Sequence, residues 1–100
     1  MSYDTVKKKL DNGKLVILDG AMGSELEKNG AQMDKDLWCG SSSIKFPEIV
    51  KKVHEDYINA GVDVITTNTY ASTPISMRNY GYEEFIEDYN KKSVLIAKKE

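Results

Sequence analysis

One hundred residues suffice for one small domain, and a chain of that size buries a modest share of its surface, so a large self-contained active site is not expected. With 40% hydrophobic and 30% charged residues, the composition is that of an ordinary globular protein rather than a disordered or membrane-embedded one. The formal charge is -2 and no Lys/Arg run is long enough to track a phosphate backbone, which argues against nucleic acid as a partner.

The first fourteen residues mix Lys7, Lys8 and Lys9 with Asp4 and Asp11, and neither an apolar signal region nor a bilayer-length stretch follows. A cytoplasmic protein with no membrane partner is expected. The single cysteine, Cys39, cannot form an internal disulfide and has no second cysteine beside it to make a metal pair, which fits a reducing compartment.

Residues 3–10 read as a short amphipathic helix, with Tyr3, Val6 and Leu10 at helical spacing, Asn12-Gly13 as the stop, and a role in covering one end of the core. Residues 15–18 (Leu-Val-Ile-Leu) form an apolar run without alternation, the pattern of a strand buried on both faces of a parallel sheet; it ends at Asp19-Gly20. Residues 22–28 turn helical up to Asn29-Gly30. Residues 31–46 read as an irregular loop, ordered by Leu37 and Trp38 packing down.

Pro47 suits a first helical turn, Glu48 complements the positive end of the dipole, and Ile49, Val50, Val53, Tyr57 and Ala60 make one apolar face before Gly61 stops the helix. Residues 62–67, rich in β-branched side chains with Asp63 as an interruption, read as a second strand. Residues 68–70 lead into a loop holding Pro74. Tyr82, Phe85, Ile86, Tyr89, Ser93, Ile96 and Ala97 then recur at helical spacing, and the helix reaches Lys98-Lys99-Glu100 without a cap.

With no repeat or linker to divide it, the chain reads as one α/β unit in which strand, helix, strand, helix implies parallel pairing and right-handed crossovers. Two strands cannot close a barrel. A (β/α)8 barrel takes roughly 250 residues, so the chain would be about the first quarter of one, or else a smaller α/β domain.

Two strand ends could carry chemistry. At the first, Asp19 precedes Gly20, Ala21, Met22 and Gly23, so a carboxylate able to hold an ammonium sits beside small residues that admit a ligand to the backbone and to helix-start N–H groups. The plain alternative is a turn with Asp19 as helix cap. At the second, Thr66, Thr67, Asn68, Thr69 and Tyr70 cluster neutral donors and acceptors, suited to orienting a polar ligand, or simply to holding a turn. Parallel strands put Asp19 and Asn68 on one rim. His54, next to Glu55 and Asp56, reads as a surface histidine, Cys39 as a plain loop cysteine, and the tyrosines as packing residues.

The blocks from Leu18 through Asp19-Gly20-Ala21-Met22-Gly23 to Leu26, then Leu37-Trp38, then Pro47-Glu48 with Val53-His54 and Tyr57, and finally Ala60-Gly61-Val62-Asp63 through Thr66-Thr67-Asn68-Thr69-Tyr70, resemble the homocysteine S-methyltransferase family. The succession is ordered and spans most of the chain. The resemblance implies that residues 1–100 are the N-terminal portion of a homocysteine-binding (β/α)8 TIM barrel. The whole protein would transfer a methyl group from a small-molecule donor to the thiol of homocysteine, giving methionine, with zinc as cofactor. By the same resemblance Asp19 would bind the homocysteine amino group, Gly20, Ala21, Met22 and Gly23 would form the floor, and Asn68 would lie at the rim.

The family's zinc ligands are cysteines of later strands, and no such motif stands in this sequence. Cys39 lies where relatives commonly have Ser-Ala after the Trp, so it is assigned no metal. No catalytic or metal-binding residue is therefore expected here, and the chain alone should be inactive without the remainder of the barrel. Two alternatives stay open: a non-catalytic binding or assembly module that retains the recognition rim, and an unrelated phosphate-binding barrel enzyme, which a missing Lys or Arg near the Asp19 loop disfavours. Nothing in the sequence selects the methyl donor.

Overall fold

The computed structural model describes residues 3–35, 37–70, 72–79 and 81–99. Among these described residues six α-helices succeed one another: α1 (Tyr3–Asp11), α2 (Gly23–Lys28), α3 (Ser42–Lys45), α4 (Pro47–Ala60), α5 (Pro74–Asn79) and α6 (Ile86–Lys98), the last preceded by a 3-10 turn, Glu83–Phe85. The uncapped end expected at Glu100 lies outside the described residues.

Between these helices, residues 15–18 and 62–67 run side by side. Leu18 and Val64 form a parallel bridge, supported by Asp63 N–H donating to the Ile17 carbonyl (2.7 Å) and Asp19 N–H to that of Val64 (3.0 Å). The direction is the one a crossover through α2 and α4 requires. Regular strands were expected in both segments; among the described residues there is this one parallel bridge and no strand. Nor is the first segment buried on both faces: Leu15 is 85%, Ile17 54% and Leu18 62% exposed. A parallel ladder gains stability from neighbours on each side and helices on each face, and two short segments have too few of either.

Asp63, the polar interruption, has a structural use. Its carboxylate accepts a hydrogen bond from Lys9 on α1 and another from Ile17 N–H (2.9 Å). Those two contacts, the lysine's first, hold its carboxyl below the usual carboxylate range. They also fasten α1, which buries none of its residues, so the expected role of that helix in covering the core is not what the structure shows.

The core lies between the helices. Leu26 of α2, Val50 and Val53 of α4, Ile96 of α6, Ala31 and Cys39 form one buried cluster. The helix α4 has the expected ends: Pro47 in its first turn, and Gly61 at φ 105° as a left-handed cap that donates to the Ile58 and Tyr57 carbonyls. A second cluster gathers Leu37, Met77 and Tyr89. It explains why α5 stands where a loop was expected, since helical winding from Pro74 carries Met77 inward to full burial. Likewise the loop expected over residues 31–46 holds α3 and an antiparallel bridge, Asp34 to Trp38.

Candidate functional site

The bridge at Leu18 and Val64 brings the ends of both extended segments to one side, where they enclose a cavity of about 250 Å3. Residues Asp19 to Ser24 form one wall, Trp38 and Cys39 a second, and Thr66, Thr67, Asn68 and Tyr70 a third. All six positions singled out from the sequence, Asp19, Gly20, Ala21, Met22, Gly23 and Asn68, therefore line one space. The lining has one carboxylate and no basic side chain, which favours a cationic group over a phosphate.

Asp19 is fixed at both oxygens. Thr66 donates its hydroxyl to Oδ1 (2.9 Å) and its backbone N–H to Oδ2 (2.9 Å). A carboxylate has roughly four acceptor positions, so two bonds from Thr66 orient the group and leave capacity for a ligand ammonium. Thr66 thus acts as the partner that aims Asp19, a role hidden in the sequence because the two residues lie in different segments.

Two glycines of the Asp19 loop are packed against aromatic side chains. A Cβ on Gly23 would stand 2.5 Å from the Trp38 ring, and one on Gly20 would stand 3.1 Å from the Tyr57 hydroxyl. Tyr57 donates to the Ala21 carbonyl (2.6 Å), pinning the loop to α4. Burial, followed by the charges of Glu25 and Asp19, raises the Tyr57 pKa above its ordinary value, which keeps the phenol a donor. Tyr57 packs against the first core cluster as expected and also holds the Asp19 loop from outside the lining, whereas Trp38, expected to pack down, lines the cavity.

Trp38 does not pack down with Leu37. Leu37 is 1% exposed and Trp38 47%. The chain turns at Trp38, sending Leu37 into the second core cluster and Cys39 into the first and leaving the Trp38 ring over Gly23. Its backbone sits at φ 54°, a left-handed conformation costly for a bulky residue. The conformation is held by mutual backbone bonds with Asp34 (2.7 and 3.0 Å) and by Asp34 Oδ1 accepting Leu37 N–H (3.0 Å).

Asn68 is buried rather than presented to solvent. Its Nδ2 donates to the Cys39 carbonyl (2.9 Å) and the Ser43 hydroxyl (3.4 Å), joining the second and third walls. His54 corrects a second expectation. It is fully buried on α4, and neither ring nitrogen has a partner among the described residues. Burial lowers its pKa below the ordinary 6.5, opposed by the attraction of Asp19.

Below pH 6.5 the unfolded chain takes up a proton on His54 that the folded chain resists, so stability is full above that pH and declines as pH falls towards the depressed folded value. The urea midpoint should be lower at about pH 5.5 than at about pH 7.5, and His54→Leu should shrink the difference. Equal pH dependence in the two proteins would show that His54 is not the group responsible.

The sequence profile described as homocysteine S-methyltransferase matches residues 16–100. The chain belongs to the homocysteine S-methyltransferase family. It is 37% identical over 86 residues to homocysteine S-methyltransferase 3 of Zea mays, an alignment covering 85% of this chain and 25% of the maize protein. Homocysteine S-methyltransferase YbgG of Bacillus subtilis (strain 168) is 44% identical over 64 residues, covering 64% of this chain and 20% of the relative. Homocysteine S-methyltransferase of Escherichia coli (strain K12) is 36% identical over 75 residues, covering 75% and 24%. The chain thus spans about a quarter of the length of these relatives.

The zinc that the family resemblance implies does not fit the residues present. Among the described residues no group of three His, Cys, Asp or Glu side chains could hold a metal ion. Cys39 is buried, and burial raises its thiol pKa, which keeps it protonated and a poor ligand.

Proposed function

We propose that the protein carrying this chain transfers a methyl group from a small-molecule donor to the thiol of homocysteine, giving methionine, and that the Asp19 cavity binds the homocysteine. The observation that carries this reading is a single oriented carboxylate in a cavity without basic side chains, within the segment that matches the family. Asp19 takes the substrate ammonium, the turn from Gly20 to Gly23 lies under the amino-acid end, and Asn68 closes the far wall. In the transfer the sulfur–methyl bond forms as the donor's bond to the methyl breaks, the electron pair leaving with the donor and the thiol proton going to solvent or base.

Residues 1–100 are read as the N-terminal portion of a (β/α)8 barrel domain in a cytoplasmic enzyme. The exposed Leu15, Ile17 and Leu18 support this, because further strands and helices of a barrel would cover them. Zinc, in this reading, takes its ligands from beyond these residues. The same exposed segment also suits an assembly module that pairs with another chain.

One assay separates the two. The protein is supplied with L-homocysteine and, in turn, S-methylmethionine, S-adenosylmethionine, betaine or methyltetrahydrofolate, and methionine is followed by mass spectrometry. Methionine formation with one of the donors is expected. No methionine with any of them, from a protein replete with zinc, would turn the account towards the assembly module.

A further inference from the structure

Behind the cavity wall lies a buried polar network that the proposed binding role of Asp19 does not use. Ser93, fully buried at the middle of α6, donates within a cluster of three acceptors: Ser43 Oγ at 2.7 Å, the Asn68 carbonyl at 3.0 Å and the Tyr89 carbonyl of its own helix at 2.9 Å. Ser43 on α3, also fully buried, accepts from Asn68 Nδ2, whose other bond reaches the Cys39 carbonyl. A hydroxyl has one proton, so Ser93 and Ser43 share their bonds by rotation, and every oxygen in the cluster has a donor in reach.

The connection has a direction. Asn68 and Cys39 line the cavity, whereas Ser43 and Ser93 do not. One turn back along α6, Asn90 binds the Ser72 carbonyl (2.9 Å) and accepts from its hydroxyl (2.9 Å), so the helix grips both Asn68 and Ser72. A helix that faced the wall with apolar side chains alone would bury the same area without fixing the register of Asn68 to Cys39. Buried hydrogen bonds fix geometry more sharply than apolar contact does.

We propose that Ser93 is a positioning residue of the cavity, acting through Ser43 and Asn68 to hold the Asn68 wall against the Trp38-Cys39 wall at the width that the ligand requires. The inference rests on the reading of the cavity as the homocysteine site. It names a residue on α6 that touches no ligand and yet sets affinity.

The test is calorimetric titration of the zinc-replete protein with L-homocysteine, for the unaltered protein, Ser93→Ala and Ser42→Ala. Ser42 is a neighbouring buried hydroxyl with no partner among the described residues, so its loss breaks no link to the wall. The expected result is a Kd about tenfold weaker in Ser93→Ala at unchanged stoichiometry, with Ser42→Ala matching the unaltered protein. A merely structural serine would lower the stoichiometry, as the folded fraction falls, and leave Kd alone; that result overturns the inference. If the unaltered protein itself does not bind homocysteine, the reading of the cavity fails and the inference with it. Should Ser93→Ala not fold, Ser43→Ala decides by the same criterion, since it removes one end of the 2.7 Å bond and leaves Ser93 two carbonyl acceptors.

Discussion

Leu26→Ala should destabilise the protein by about 2 to 5 kcal/mol, the range for truncating a fully buried leucine whose surroundings relax only in part. Leu26 is where α2 meets α4, packed with Val50, Val53 and Ile96, so the cavity left behind opens between three helices. Alanine favours a helix slightly more than leucine does, by a small fraction of that loss. Against a total stability of about 5 to 15 kcal/mol, the truncation is a large share. It should lower the urea midpoint at unchanged slope, and because α2 begins at Gly23 in the cavity wall, it should also loosen the Asp19 loop. A change below about 1 kcal/mol would mean that the α2 and α4 contact is not the centre of the core.

Asp19→Ala should weaken homocysteine binding by about 1 to 3 kcal/mol, roughly five- to 150-fold in Kd, the cost of removing a charged hydrogen-bond partner. The substitution also deprives the Thr66 N–H and hydroxyl of their acceptor, so some loss of stability accompanies it. Asp19→Asn separates the two effects. An amide oxygen can still accept from Thr66, but the charge that attracts the ammonium is gone, so affinity should fall nearly as far while the melting temperature stays close to that of the unaltered protein. Calorimetry on both variants checks this, and a Kd unchanged in Asp19→Asn would remove Asp19 from the ammonium's recognition.

Helices were the most legible feature of the sequence, because their signals are local. Pro47 and Gly61 bounded α4, and the recurrence of Tyr89, Ser93 and Ile96 placed the buried face of α6. The segments around Leu18 and Val64 were legible as extended and parallel, but whether they become strands depends on neighbours that no local pattern supplies. His54 was misread because its sequence neighbours Glu55 and Asp56 are polar, although helical geometry places its side chain on the face of Val50 and Val53. Trp38 was misread as an anchor for the opposite reason: an apolar residue in a loop is assumed to go inward, yet the left-handed turn at Trp38 gave that role to Leu37 and Cys39.

In the candidate site, the residues on the Asp19 loop and Asn68 could be picked out from strand-end position and from family resemblance. Their partners could not. Thr66 on Asp19, Tyr57 on the Ala21 carbonyl and Ser93 behind Asn68 each act across 25 or more positions of sequence, and a threonine, tyrosine or serine at such a distance carries no spacing signal.

The most direct test of the central claim is a crystal structure of the zinc-replete protein with L-homocysteine. The amino acid is expected in the cavity between Asp19 and Asn68, with its ammonium within hydrogen-bonding distance of the Asp19 carboxylate and its carboxylate over the turn from Gly20 to Gly23. Homocysteine bound elsewhere, or bound here with its ammonium turned away from Asp19, would contradict it.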